Sequence, residues 1–204
     1  MHPTRLILLS VLSLLCFVAA FAQQRPGPEF WRKVGCEPFE PRTRLESIDE
    51  ARGAVIIKAF TQITTIEVNG VRIDAVDMRM QGNVNRAKGI AVVLREGEGS
   101  RQDGGNRPRE NRAFVDYDEI DALLNAIDAV ARVDETMTRL PGFEARYKTH
   151  GDLEIGVFRQ TRRGTAAIMT TGICDRASQL LTLDELAKVK AMIQEAKMRL
   201  DELR

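Results

Sequence analysis

The sequence predicts an α+β fold: two antiparallel-sheet repeats, each ending in one amphipathic helix, packed as one domain. Runs rich in β-branched residues broken by turn signals supply the strands, and two later segments with apolar spacings of three and four supply the helices. The strands-then-helix order occurs twice, which defines the repeats.

The first residues, "MHPTRLILLSVLSLLCFVAAFAQQ", place one basic residue, Arg5, before an apolar run that ends near Ala19. Ala20-Phe21-Ala22 then offers a small-x-small cleavage site, so residues 1–22 read as a secretory signal peptide. The run is shorter than the roughly 20 residues a bilayer span requires. The expectation is an exported protein, periplasmic or extracellular, with no membrane span once the signal is removed.

Cleavage after Ala22 leaves 182 of the 204 residues, enough for one domain with a sizeable core. The whole chain has 30 Lys+Arg against 29 Asp+Glu, and loss of Arg5 brings the formal charge to zero. Binding to a phosphate backbone draws its affinity from a surplus of cations, so nucleic acid and anionic membranes are poor first expectations. Cys36 and Cys174 remain after cleavage. In an oxidising compartment they are a candidate disulfide; two free thiols or an intermolecular bridge are the alternatives.

Residues 23–53 hold a proline-rich stretch and read as an extended N-terminal arm, with a short polar helix near Ser47 to Arg52. Phe30, Trp31 and Phe39 are apolar anchors for that arm. The domain proper spans 54–204, with repeat 1 at 54–134 and repeat 2 at 142–204. "AVIIKAFTQITTIEV" and "VRIDAVDMRM" flank Asn69-Gly70, the strongest short signal for a hairpin. "GIAVVLRE" reads as a further buried strand. Gly97 to Asn111 is glycine-rich, charged and without apolar periodicity, so it reads as a long flexible loop.

Ile120, Leu123, Leu124, Ile127, Val130 and Ala131 then stack on one face of a helix. In repeat 2, "FEARYKT" alternates apolar Phe143, Ala145 and Tyr147 with charged Glu144, Arg146 and Lys148, the pattern of a half-buried strand. "HGD" and "TRRG" turn the chain around "LEIGVFRQ", and "TAAIMTTG" follows as a third strand. A final helix from Leu183 to Leu203 carries a stripe of Leu186, Val189, Ile193, Ala196, Leu200 and Leu203. That stripe either covers a sheet or joins two chains as a homo-oligomer.

The two helix starts read alike. "VDYDEI" and "LTLDEL" each place an N-cap residue (Asp116, Thr182) three before a glutamate (Glu119, Glu185) and between apolar neighbours. Both predict a capping box with a hydrophobic staple. The carboxylates of "VDYDEI" are thus assigned to starting a helix. As a calcium loop the stretch fails, because Asp121 stands where glycine is required.

The strands-then-helix order, repeated over Ala54 to Leu203, resembles the Pur-alpha/PC4/Whirly group of single-stranded nucleic-acid binders. That resemblance implies a fold; the neutral charge and few aromatic residues depart from the group's cationic, stacking surfaces. "TMTRLPGFEARYKTHGDLEIGVF" is also similar to secreted bacterial proteins of unassigned function.

No catalytic set, metal-ligand spacing or cofactor motif assembles in the sequence, so no catalytic residue, metal or cofactor is assigned. His150 is the one histidine left after cleavage, and a thiol-dependent enzyme would have to pair it with Cys174, oriented by Asp152 or Asp175. The best surface feature is the basic group Arg146, Lys148, Arg159, Arg162 and Arg163, suited to an anionic ligand. The leading expectation is a non-catalytic binding or structural module with a ligand or protein partner still to be identified. The alternatives are the thiol enzyme and a binder of single-stranded nucleic acid or another polyanion.

Overall fold

The computed structural model describes residues 40–82, 84–96, 110–137, 140, 142–160, 164–172 and 176–203. The signal segment, the arm as far as Phe39, both candidate disulfide cysteines, loop residues 97–109 and the turn arginines Arg162 and Arg163 lie outside them.

Two four-stranded antiparallel sheets form the body. The first runs β1 (Ile56–Gln62), β2 (Val71–Met80), β3 (Arg86–Arg95) and β4 (Glu110–Asp116) in simple order. The second runs β5 (Glu144–Lys148), β6 (Glu154–Gln160), β7 (Gly164–Thr171) and β8 (Ala177–Leu181), also in order. Among the described residues three α-helices accompany them: α1 (Arg44–Asp49), α2 (Ile120–Ala131) and α3 (Leu183–Asp201). The α+β class and the repeated sheet-then-helix order stand as the sequence predicts.

α2 and α3 each cross over to the other repeat. α2, which follows the first sheet, packs on β5 and β6 of the second, while α3 lies mainly across β2 and β3 of the first. The helices also touch each other, and β3 meets β7 and β8. One core results, containing Ile73, Ile90 and Val92 of the first sheet with Ile155, Val157 and Met169 of the second. Ile120, Leu123 and Ile127 of α2 enter it beside Leu186, Val189, Ile193 and Leu200 of α3. The stripe of α3 is therefore buried within the chain from Leu186 to Leu200, while Leu203 at its end is 43% exposed. Fully burying each such aliphatic side chain stabilises by roughly 1.5–3 kcal/mol, so neither repeat holds its own sheet covered without the other.

The Asn69-Gly70 turn forms, with Gly70 at φ 71° and Val68 bridged to Val71. The strand before it is interrupted, however. Ile63 bonds opposite Ile73, which leaves Thr64 to Glu67 as an excursion outside the ladder. Ile66 of that excursion packs against the core, and the Thr65 hydroxyl donates to Glu195 of α3. Tertiary contact with α3 overrides the strand propensity of "TTIEV".

α1 stands at 44–49, earlier than the polar helix expected near Ser47 to Arg52, and it is not polar on its inner side. Leu45 and Ile48 are buried against Val76, Met78, Ala87, Ala91 and Phe114 on the outer face of the first sheet. Its own capping box, Thr43 with Glu46, starts it. At Gly89 a side chain would strike the Val115 carbonyl of β4 first and then Leu45 Cδ1, so glycine is required where β3, β4 and α1 meet.

The capping boxes part company. Thr182 and Glu185 form theirs at α3. At α2 no side chain caps the helix, and a 3-10 turn, Tyr117–Glu119, leads into it. The Asp116 carboxylate is engaged elsewhere: it accepts the Arg44 and Leu45 N–H groups at 2.8 and 3.2 Å, capping α1 from outside. The predicted box gives way because a neighbouring helix start offers donors to the same carboxylate.

Candidate functional site

Strand alternation sets the outer face of the second sheet. Ala145, Tyr147, Ile155, Val157, Ala167, Met169, Ala177 and Leu181 turn into the core. Their neighbours turn outward, and the register lines them up across the strands. Arg146, Gly156, Ile168 and Leu180 make one row; Lys148, Glu154, Thr170 and Ser178 make the next; Glu144, Phe158 and Ala166 make a third. Both helices contact this sheet from its core side, and no described helix lies on the outer one.

Gly156 shapes the middle of this face. A Cβ there would lie 3.3 Å from Arg146 Cγ and 3.3 Å from Ile168 Cγ2, so the aliphatic stem of Arg146 passes over the bare backbone. Phe158 and Ile168 remain half-buried, and Leu180 is 59% exposed. An apolar strip thus runs between charged flanks.

Those charges are matched locally. Arg146 pairs through Nε with Glu144 at 3.2 Å and through Nη1 with Glu154 at 3.4 Å. Lys148 Nζ lies 2.6 Å from Asp152 Oδ1. Of the five basic candidates, Arg146 and Lys148 share the outer face. Arg159 has the core-side parity of Ile155 and Val157, so it does not join them. Phe158, Ile168 and Leu180 were not among the expected site residues. The outward parity of "LEIGVFRQ" and "TAAIMTTG" carries the signal for the first two, whereas Leu180 lies on a strand too short to read.

The tip of the β5–β6 hairpin is docked against the first repeat. Thr149, Gly151, Asp152 and Leu153 are buried, and a side chain on Gly151 would run into the Phe114 carbonyl of β4. Asp152 adopts φ 60° and accepts Arg42 Nη1 at 2.8 and 2.9 Å. His150 alone points out, 80% exposed, with Nδ1 3.1 Å from Glu119 Oε1. The carboxylate beside the histidine is therefore Glu119 rather than Asp152. Cys174 and Asp175 lie outside the described residues.

Asp118 of "VDYDEI" and Asp121 just after it are equally committed. Asp118 pairs with Arg44 at 2.5 Å, and Asp121 pairs with Lys197 of α3 at 2.5 Å. Among the described residues no group of three His, Cys, Asp or Glu is placed to hold a metal ion.

A groove of about 430 Å³ lies between Arg44, Arg86, Lys88 and Tyr117. Its cations are also engaged. Arg86 makes two bonds of 2.9 Å to Asp77, and Lys88 Nζ donates to the Leu200 carbonyl at 2.9 Å while sitting 4.2 Å over the Tyr117 ring. The Tyr117 hydroxyl donates to Asp201, which holds its pKa above the ordinary phenol value and disfavours a phenolate.

Comparison of the chain with profiles of known protein families, with curated proteins and with solved structures finds no match. Among the described residues no helix is long and apolar enough to cross a membrane.

Proposed function

We propose that the chain is an exported, non-catalytic binding module whose contact surface is the outer face of the second sheet. The observation that carries this reading is the row Arg146–Gly156–Ile168–Leu180, an apolar strip beside ion-paired charges on a face no described helix covers. A strip of this kind, with an aromatic ring and an arginine stem, suits a protein partner. A polyanion fits less well, because Glu144, Glu154 and Asp152 already neutralise Arg146 and Lys148. Export rests on the signal pattern of residues 1–22. The commitment of Asp116, Asp118, Glu119, Asp121 and Asp152 to structural bonds supports a non-catalytic role.

The test compares wild-type protein with Ile168→Ser/Leu180→Ser and with the control Ser47→Arg, each used to capture partners from the compartment where the chain accumulates. The expected result is a saturable protein partner, bound by wild type and control and lost in the sheet variant. Equal capture by all three, or steeply salt-dependent binding to heparin or a single-stranded oligonucleotide, contradicts the reading.

The Glu119–His150 pair favours a second reading, in which an oriented, exposed imidazole serves a thiol at Cys174. Alkylation followed by mass spectrometry decides it: a Cys36–Cys174 crosslink removes the nucleophile and the reading with it.

A further inference from the structure

The four sheet edges are not equally protected. An open edge presents unpaired N–H and C=O groups to any strand that can reach it, and charged side chains are the usual guard. β5 carries Glu144, Arg146 and Lys148 along its five residues. β4 carries Glu110 at its exposed end, and the β5–β6 hairpin tip sits against its Phe114 carbonyl. β8 is short, and its Ser178 N–H and Gln179 side chain are tied to Glu96 and the Arg95 carbonyl.

β1 has no such guard. Its sequence is IIKAFTQ, and among the described residues it pairs only with β2. Phe60 is 66% exposed, Val55 60% and Ile57 40%. Its single charge is drawn away from the edge: Lys58 Nζ lies 3.6 Å from Asp49 Oδ1 and 5.1 Å over the Phe114 ring, across the outer face of the sheet.

The hydrogen bonds show which groups face out. Ile63 N–H donates to the Ile73 carbonyl, and Gln81 N–H donates to the Val55 carbonyl, each at 2.9 Å. Odd-numbered residues of β1 therefore bond toward β2. Alternation leaves the N–H and C=O of Ile56, Lys58, Phe60 and Gln62 on the open side.

We infer that β1 is a self-association edge, pairing antiparallel with β1 of a second copy about a two-fold axis at Ala59. That register is the one centred on the strand, so it aligns all seven residues, Ile56 with Gln62 of the other copy and Lys58 with Phe60. All four outward-facing residues then fall in bonded pairs. An axis at Lys58 would set two lysines face to face, which is repulsive; an axis at Phe60 shortens the overlap. Each sheet face continues across the axis, so Ile57 lies opposite Thr61 and Phe60 opposite Lys58 of the other copy. The first sheets of two chains become one eight-stranded sheet.

Sedimentation equilibrium over a wide concentration range tests this on the purified chain. Wild type is expected to dimerise reversibly. Phe60→Lys, which sets lysine against Lys58 of the other copy, is expected to weaken the dimer about tenfold or more. Leu180→Lys, on the second sheet, is expected to leave it unchanged, which separates this edge from the proposed binding face. Thermal melting of Phe60→Lys should match wild-type monomer because the replaced ring is exposed. In oxidising buffer Ala59→Cys should give a covalent dimer, since residues at the axis form a non-bonded pair with Cα atoms about 4.5 Å apart, within disulfide reach. Thr61→Cys, with the same native cysteines, should not. A wild-type monomer at every concentration, a dimer indifferent to Phe60→Lys, or equal crosslinking by both cysteine variants overturns the inference.

Discussion

Glu119, one residue before α2, accepts the backbone N–H of His150 at 2.9 Å, so a side chain from the end of the first repeat fixes the hairpin tip of the second. Its carboxylate is nearly buried, 10% exposed, and serves as a strut between repeats rather than as half of a capping box. Removing it takes the acceptor from the exposed His150 N–H and a strut from between the repeats, so Glu119→Ala is expected to lower stability by about 0.5–1.5 kcal/mol. Glu119→Gln keeps an acceptor oxygen and should lose much less. Urea unfolding of the two variants measures the difference.

Gly151 is a second point of the same contact. A methyl group there would meet the Phe114 carbonyl, with β4 and α1 held behind it. Gly151→Ala should cost about 1–3 kcal/mol through overpacking. The expected signature is a lower urea midpoint with an unchanged slope.

Thr171 is fully buried, and among the described residues its hydroxyl has no hydrogen-bond partner. Replacing an unpaired buried hydroxyl by a methyl group of like shape removes a desolvation cost. Thr171→Val should be neutral or should raise stability by up to about 1 kcal/mol. A clear loss of stability in thermal unfolding would mean that the hydroxyl is bonded.

The α3 box gives a pH signature. Glu185 accepts the Thr182 N–H at 2.8 Å and its hydroxyl at 3.0 Å, which holds the carboxyl pKa below its ordinary 4.5. A lowered folded-state pKa adds stability that is fully present above the ordinary value and is lost as pH falls through the folded one. The stability gap between wild type and Glu185→Gln should therefore be constant near neutrality and close below about pH 4.5. Thr182→Ala should cost about 1 kcal/mol at neutral pH.

Legibility in the sequence followed the reach of the interactions. The amphipathic helices, the Asn69-Gly70 turn and the alternation of β5 were readable because neighbours in sequence determine them. The fourth strands, "ENRAFVD" and "ASQLL", were missed because one was joined to a glycine-rich loop and the other is short and mixed. α1 was misplaced by a few residues because its partners, Val76 and Phe114, come from distant strands. The predicted box at Asp116 and Glu119 failed for the same reason: Arg44 and His150 take its acceptors. Of the basic candidates, parity in β5 put Arg146 and Lys148 together, while Arg159 sits on the other side of its strand. The apolar row beside them needed the register of all four strands.

The exchange of α2 and α3 between repeats makes one core of two similar halves and leaves the outer face of the second sheet uncovered by any described helix. Native-state hydrogen exchange under increasing denaturant tests it most directly, read at Ile73 and Ile90 in the first sheet and Ile155 and Met169 in the second. The core amides of both sheets should merge into one opening event with the same free energy and the same denaturant slope. Release of one sheet at a distinctly lower free energy, while the other stays protected, would contradict a shared core.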